Sequence, residues 1–217
     1  MNRHVLCVSL FAAFATALPV AAQELTNLPD GTRQSVTIDV GLQSAVVSRA
    51  MYSRHIGEGL VYGRFTLPVA SLDVKDLAFE AGGQMTAVGW GNWKLQVAFA
   101  PVVRRTQTDL FSATALGVKA TLLPGYQGNR WGLMAELGYE KMLATHLNHS
   151  SLYRRTAYSG AKDGWYSSTG GTLQAGLRGG YRVGRVELSL AAGMLVSEGL
   201  NVVMPPFYGT LGTAYAF

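Results

Sequence analysis

Cysteine is nearly absent from this chain. Its one example, Cys7, lies in an apolar run close to the amino terminus, so residues 8–217 have no means of forming a disulfide, a thiol nucleophile or a thiolate metal site. Charge is scarce too. Asp, Glu, Lys and Arg make up 14% of the 217 residues, against about a quarter in an ordinary soluble domain. The net charge is +5 at pH 7, yet Lys and Arg never run longer than the pairs Arg104-Arg105 and Arg154-Arg155, which argues against a nucleic-acid partner. Only four histidines occur. His146 and His149 are three apart and point to opposite faces of a regular strand, and a zinc site needs more ligands than that pair. There is no glycine-rich nucleotide loop, since Gly170-Gly171 and Gly179-Gly180 lie in or beside strands. No cofactor is therefore expected. Beyond the first twenty or so residues, no apolar run reaches the ~20 positions of a helical membrane span.

What the chain does have is glycine (26 residues) and alternation. Apolar and polar residues alternate with the period of two that marks a strand. Nine segments read this way: Val36 to Gln43, Leu60 to Leu67, Leu77 to Gln84, Leu95 to Phe99, Leu110 to Leu122, Trp131 to about Leu147, Leu173 to Val183, Val186 to Ala192 and Phe207 to Phe217. Between them, Ser48 to Glu58 reads as a loop, Trp90 to Trp93 as a tight turn, Arg104 to Asp109 as a polar turn and Pro124 to Asn129 as a turn cluster. Asn148 to Gly171 reads as a long irregular segment, Gly184-Arg185 as a two-residue hairpin turn and Glu198 to Pro206 as a loop.

The two ends complete the pattern. Arg3 and His4 precede the apolar run Val5 to Leu18, and Val20-Ala21-Ala22 offers small residues for cleavage. Residues 1–22 thus read as a secretory signal peptide. Residues 23–33, with a Pro-Asp-Gly turn, read as a periplasmic lead-in to a barrel over 34–217. The last strand, FYGTLGTAYAF, places Leu211, Tyr215 and Phe217 on one face and stops on Phe217. In this it resembles small bacterial outer-membrane β-barrels, whose terminal Phe is read by the assembly machinery. The resemblance implies an all-β, antiparallel transmembrane β-barrel in a Gram-negative outer membrane. It also implies contact with outer-membrane lipid and lipopolysaccharide, and with the barrel assembly machinery through the C-terminal strand. Trp90 and Trp93 fit the aromatic girdle of such a barrel. A single-chain barrel has an even strand number, so nine means eight or ten. Ten is the expectation, with the missing strand sought in Met142 to Tyr158. Counting from the front places Ser48 to Glu58 outside the cell, counting from the back places Asn148 to Gly171 there, and the two counts clash in the middle.

Strand parity directs Asp39, Glu80, Glu136, Glu140 and Glu187 into the lumen with Arg64, Lys94, Lys119, Arg178 and Arg182. Five acids face five bases, and an unpaired buried charge is costly. The expectation is a lumen closed by ion pairs in a protein with a structural or surface-interaction role. The alternative is a small-solute channel. The long segment presents Tyr153, Arg154, Arg155, Lys162, Trp165 and Tyr166, cations mixed with aromatics suited to an external partner such as lipopolysaccharide phosphates. A third reading is a lipid A-modifying hydrolase using His149 and Ser150. It departs from the pattern of the lipid A deacylases, which resembles His-x-Ser-Asn, because Ser151 follows Ser150 and no Asn comes after.

Overall fold

The computed structural model describes residues 32–42, 46–57, 59–69, 76–198 and 202–217. The residues read as a signal peptide, and most of those read as a lead-in, lie outside the described residues. Ten antiparallel strands close into one barrel in chain order: β1 (Gln34–Leu42), β2 (Val46–Ile56), β3 (Gly59–Pro68), β4 (Asp76–Trp90), β5 (Trp93–Gln107), β6 (Phe111–Gln127), β7 (Trp131–His149), β8 (Gly164–Val183), β9 (Val186–Ser197) and β10 (Val202–Ala216). A six-residue helix, α1 (Ser151–Thr156), sits between β7 and β8. β10 closes on β1 from Ala216 opposite Ser35 to Gly209 opposite Leu42. The terminal carbonyl of Phe217 accepts from the Arg33 and Gln34 amides at 3.2 and 3.1 Å.

The even count is ten, but the extra strand is not where the sequence pointed. Most of Ser48 to Glu58 is β2, not a loop, and it pairs with β1 and β3 along its whole length. Met142 to Tyr158 holds the rest of β7 and α1 instead. β2 escapes the alternation because its inward side chains are Arg49, Met51 and Ser53, while Ser48, Ala50 and Arg54 face out. Several segments read as turns are also strand: β5 runs through Arg104 to Gln107, β6 through Pro124 to Gln127, β8 starts at Gly164 and β10 at Val202.

With β2 in place the sidedness clash disappears. The start of β1, the carboxyl terminus and the turns at Gly57, Gly91-Asn92, 128–130 and Gly184-Arg185 lie at one end, so Ser48 to Glu58 cannot be an outer loop. Gly57 and Gly184 adopt φ of 61° and 60°, a left-handed conformation that glycine takes without steric cost in tight turns. The segment between β7 and β8 lies at the opposite end.

The outer surface is apolar. Ile38, Val40, Phe65, Phe99, Leu122, Leu133, Leu137, Leu177, Leu188, Leu190 and Leu211 are all exposed. Where all ten strands pair, the closed sheet has no edge, which is what a lipid environment demands of strands. At the terminal end Trp93, Tyr126 and Trp131 form a cluster, with Tyr126 and Trp131 stacked at 4.3 Å. The protein is a transmembrane β-barrel of the outer-membrane type.

Strand length is uneven around the wall. β1, β2 and β3 have 9, 11 and 10 residues, about what one crossing requires. β6, β7 and β8 have 17, 19 and 20. At ~3.4 Å per residue, with a tilt of ~40°, β7 and β8 rise ~50 Å, against an apolar band of ~25 Å. One side of the barrel therefore stands well above the membrane.

Candidate functional site: the lumen and the raised rim

Strand parity brings nine of the ten predicted lumen charges to buried positions; Lys94, near a strand end, is half-buried. Two further cations join them, Arg49 from β2 and Arg104 from β5. Sequence reasoning missed Arg49 because β2 lacks apolar alternation, and Arg104 because its polar surroundings read as a turn. The five acids pair with five arginines: Asp39–Arg49, Glu80–Arg64, Glu136–Arg178 at 3.0 Å, Glu140–Arg104 at 3.0 Å and Glu187–Arg182 at 2.7 Å. Three of these are direct cross-strand neighbours: Asp39 opposite Arg49, Arg64 opposite Glu80 and Arg182 opposite Glu187. Lys119 is opposite Glu140 and also interacts electrostatically with Glu80 and Glu136. The tally of five against five thus becomes five buried cations and the part-buried Arg104 against five buried acids, with the half-buried Lys94 near the terminal end.

Neutral inward side chains hydrogen-bond beside the charges. Gln84 donates to Gln96 at 2.8 Å, and Gln96 donates to Gln127 at 3.1 Å. Tyr208 reaches from β10 towards β7 and donates to Glu136 at 3.4 Å. The register explains how: Tyr208, Gly193, Gly176 and Glu136 form one continuous cross-strand row. A Cβ on Gly176 would collide with the Tyr208 hydroxyl, and one on Gly193 would lie 2.7 Å from its ring. The two glycines make the trough in which the ring lies.

At the raised rim, β7 carries one residue more than β6 between the pairs Leu116–Ala144 and Gly117–Met142. Side-chain parity on β7 switches there. Glu140 and Met142 point inward below the switch, and Thr145 and Leu147 above it. This local bulge is why the alternation fades towards Leu147. Above it, Asp163 ties the tip together. Its Oδ1 accepts from the His149 amide at 2.8 Å and lies 3.0 Å from His149 Nδ1, and its Oδ2 accepts from Arg154. These bonds, the amide first, hold the Asp163 carboxyl down at about 2.

Of the predicted loop residues, Arg154 is engaged by Asp163 and the Tyr153 ring lies tilted against His149 at 4.9 Å. Arg155 and Lys162 are exposed at the tip. Trp165 and Tyr166 belong to β8 rather than to a loop. Trp165 meets His146 edge to face at 5.1 Å. The hydrolase set does not assemble as expected. Ser150 caps α1, its hydroxyl accepting from the Tyr153 amide at 3.1 Å, and no hydroxyl among the described residues bonds to the His149 ring. No group of three or more potential metal ligands occurs among the described residues. Leu211, Tyr215 and Phe217 lie exposed on the outer face of the closing strand, with the last two rings stacked at 6.3 Å.

No family model matches the chain, and no curated protein matches it. Solved structures do. A KdgM porin superposes with a TM-score of 0.42 at 11% identity, over 84% of this chain and 99% of that one. A KdgM porin in complex with disordered oligogalacturonate gives 0.42 at 12%, over 84% and 99%. Ail, the attachment invasion locus protein of Yersinia pestis, gives 0.39 at 14%, over 86% and 99%.

Proposed function

We propose that this protein is a closed outer-membrane barrel that displays a raised rim for surface contact. The observation that carries the closed lumen is the set of five buried ion pairs, with Arg64 and Glu136 both at 0% exposure. A passage for solutes would have to break pairs whose members come from eight of the ten strands, β1 to β5 and β7 to β9. The rim is the part built to meet something outside. Arg155 and Lys162 project from it with Tyr158 and Trp165, a mixture that favours an anionic surface partner.

The test is conductance of the purified barrel in planar bilayers, with no steps above the leak expected. Stable single-channel openings would overturn the closed lumen and favour the channel. One feature supports that second reading: Glu80 Oε1, Glu136 Oε1 and Glu140 Oε2 meet no protein donor among the described residues, which suits a narrow wet path.

A further inference from the structure

We propose that the outward face of the raised wall seats a phosphorylated glycolipid of the surrounding leaflet. In this site Arg105 takes the phosphate and Trp165 stacks on a sugar ring. The register lays the site out as one row across four strands: Arg105 opposite Thr114, Thr114 opposite His146 and His146 opposite Trp165. All four face away from the lumen. Arg104 points inward to Glu140, so its neighbour Arg105 points out; Thr145 and Leu147 are buried on the inner face, so His146 between them points out. Trp165 is 60% exposed.

The location selects the occupant. One step nearer the membrane on the same face, Val103, Leu116 and Ala144 form an apolar row. One step further out, Ser112 lies opposite Asn148. The wall thus changes from apolar to hydrogen-bonding over a single step, directly above the lipid belt. What adjoins an apolar belt at that height is the headgroup layer. Four strands at ~4.8 Å spacing give a row ~14 Å long. That length, with hydroxyl, amide and imidazole groups beside an exposed indole, suits a saccharide headgroup better than a single glycerol phosphate. A guanidinium is the side chain best shaped for a phosphate.

The test is native mass spectrometry of the full barrel in mild detergent with three lipids: a bisphosphorylated diglucosamine lipid, its dephosphorylated form and phosphatidylglycerol. The phosphorylated glycolipid is expected to be retained about tenfold better than either control. Arg105→Ser combined with Trp165→Ala is expected to abolish that preference, while Arg130→Ser at the terminal end leaves it intact. Should the double variant fail to give a heat-modifiable barrel, a chain with Trp90, Trp93 and Trp131 changed to Phe reads the site through Trp165. Its emission is expected to shift blue with the phosphorylated glycolipid and not with phosphatidylglycerol. Equal retention of phosphatidylglycerol, a preference that survives the double variant, or an unmoved Trp165 emission overturns the proposal. Conductance has no bearing on it, so the closed-lumen reading can fail while this one stands.

Discussion

At the scale of single residues, the lumen is held by pairs that are costly to break one side at a time. Glu80→Ala leaves Arg64 charged in a wholly buried site. Removing one partner of such a pair typically costs ~3–5 kcal/mol, whereas replacing both by apolar residues is often neutral. Denaturant unfolding in micelles is therefore expected to show a large loss for Glu80→Ala and a much smaller one for Arg64→Leu with Glu80→Leu. Equal losses in the two variants would mean that the pair is not the source of stability. At the rim, Asp163 is held at about 2 against an ordinary 3.8. A carboxyl with a lowered folded-state value contributes fully above its unfolded value and loses that contribution as the pH falls through the folded one. The tip is thus expected to stay clasped down to about pH 4 and to release between there and pH 2. Amide-exchange protection factors over residues 150–163, corrected for the intrinsic pH dependence of exchange, measure this, and Asp163→Asn should lack at neutral pH the protection that the native chain loses by pH 2.

At the scale of elements, the closing strand is the one that must find its partners last along the chain. β10 pairs with both β1 and β9, and Phe217 ties back to Gln34. Phe217→Ala is expected to lower the yield of heat-modifiable barrel in membranes while leaving the stability of the assembled fraction nearly unchanged. Normal levels would separate the terminal ring from assembly. Strands also show what a sequence can reveal. Those with apolar residues facing lipid and polar ones facing the lumen were legible from alternation. β2 was not, because Met51 points inward while Ser48 and Arg54 point outward, and that cancels the period-two signal. The same cancellation hid Arg49. Arg104 went unseen for another reason: Arg104-Arg105 and its polar neighbours read as a turn, although β5 simply continues into the raised wall. The clasp at Asp163 joins residues 14 apart by hydrogen bonds, and no periodicity encodes such a contact.

At the scale of the whole molecule, the wall is a closed sheet, and among the described residues the longest stretch between strands, 150–163, lies at the raised end. Trypsin added to intact cells is expected to cut within residues 150–163, at Arg155 or Lys162, and to leave a barrel that still shifts on heating. Cleavage only after the cells are opened would reverse the assigned orientation. The nine predicted strands placed most of the architecture, but parity alone could not supply sidedness. That required β2, because in a count from the front a single unseen strand inverts the side of every connection after it.

The unequal strand lengths also give the molecule a front and a back. A barrel with a level rim looks the same to any neighbour drifting towards it in the plane of the bilayer. Here β1, β2 and β3 end near the surface while β6, β7 and β8 continue upward, so a neighbour approaching one side meets only a low edge and one approaching the other meets a tall screen. Whatever gathers at this protein gathers with a compass bearing, and packed copies of it would give a crowded membrane a grain.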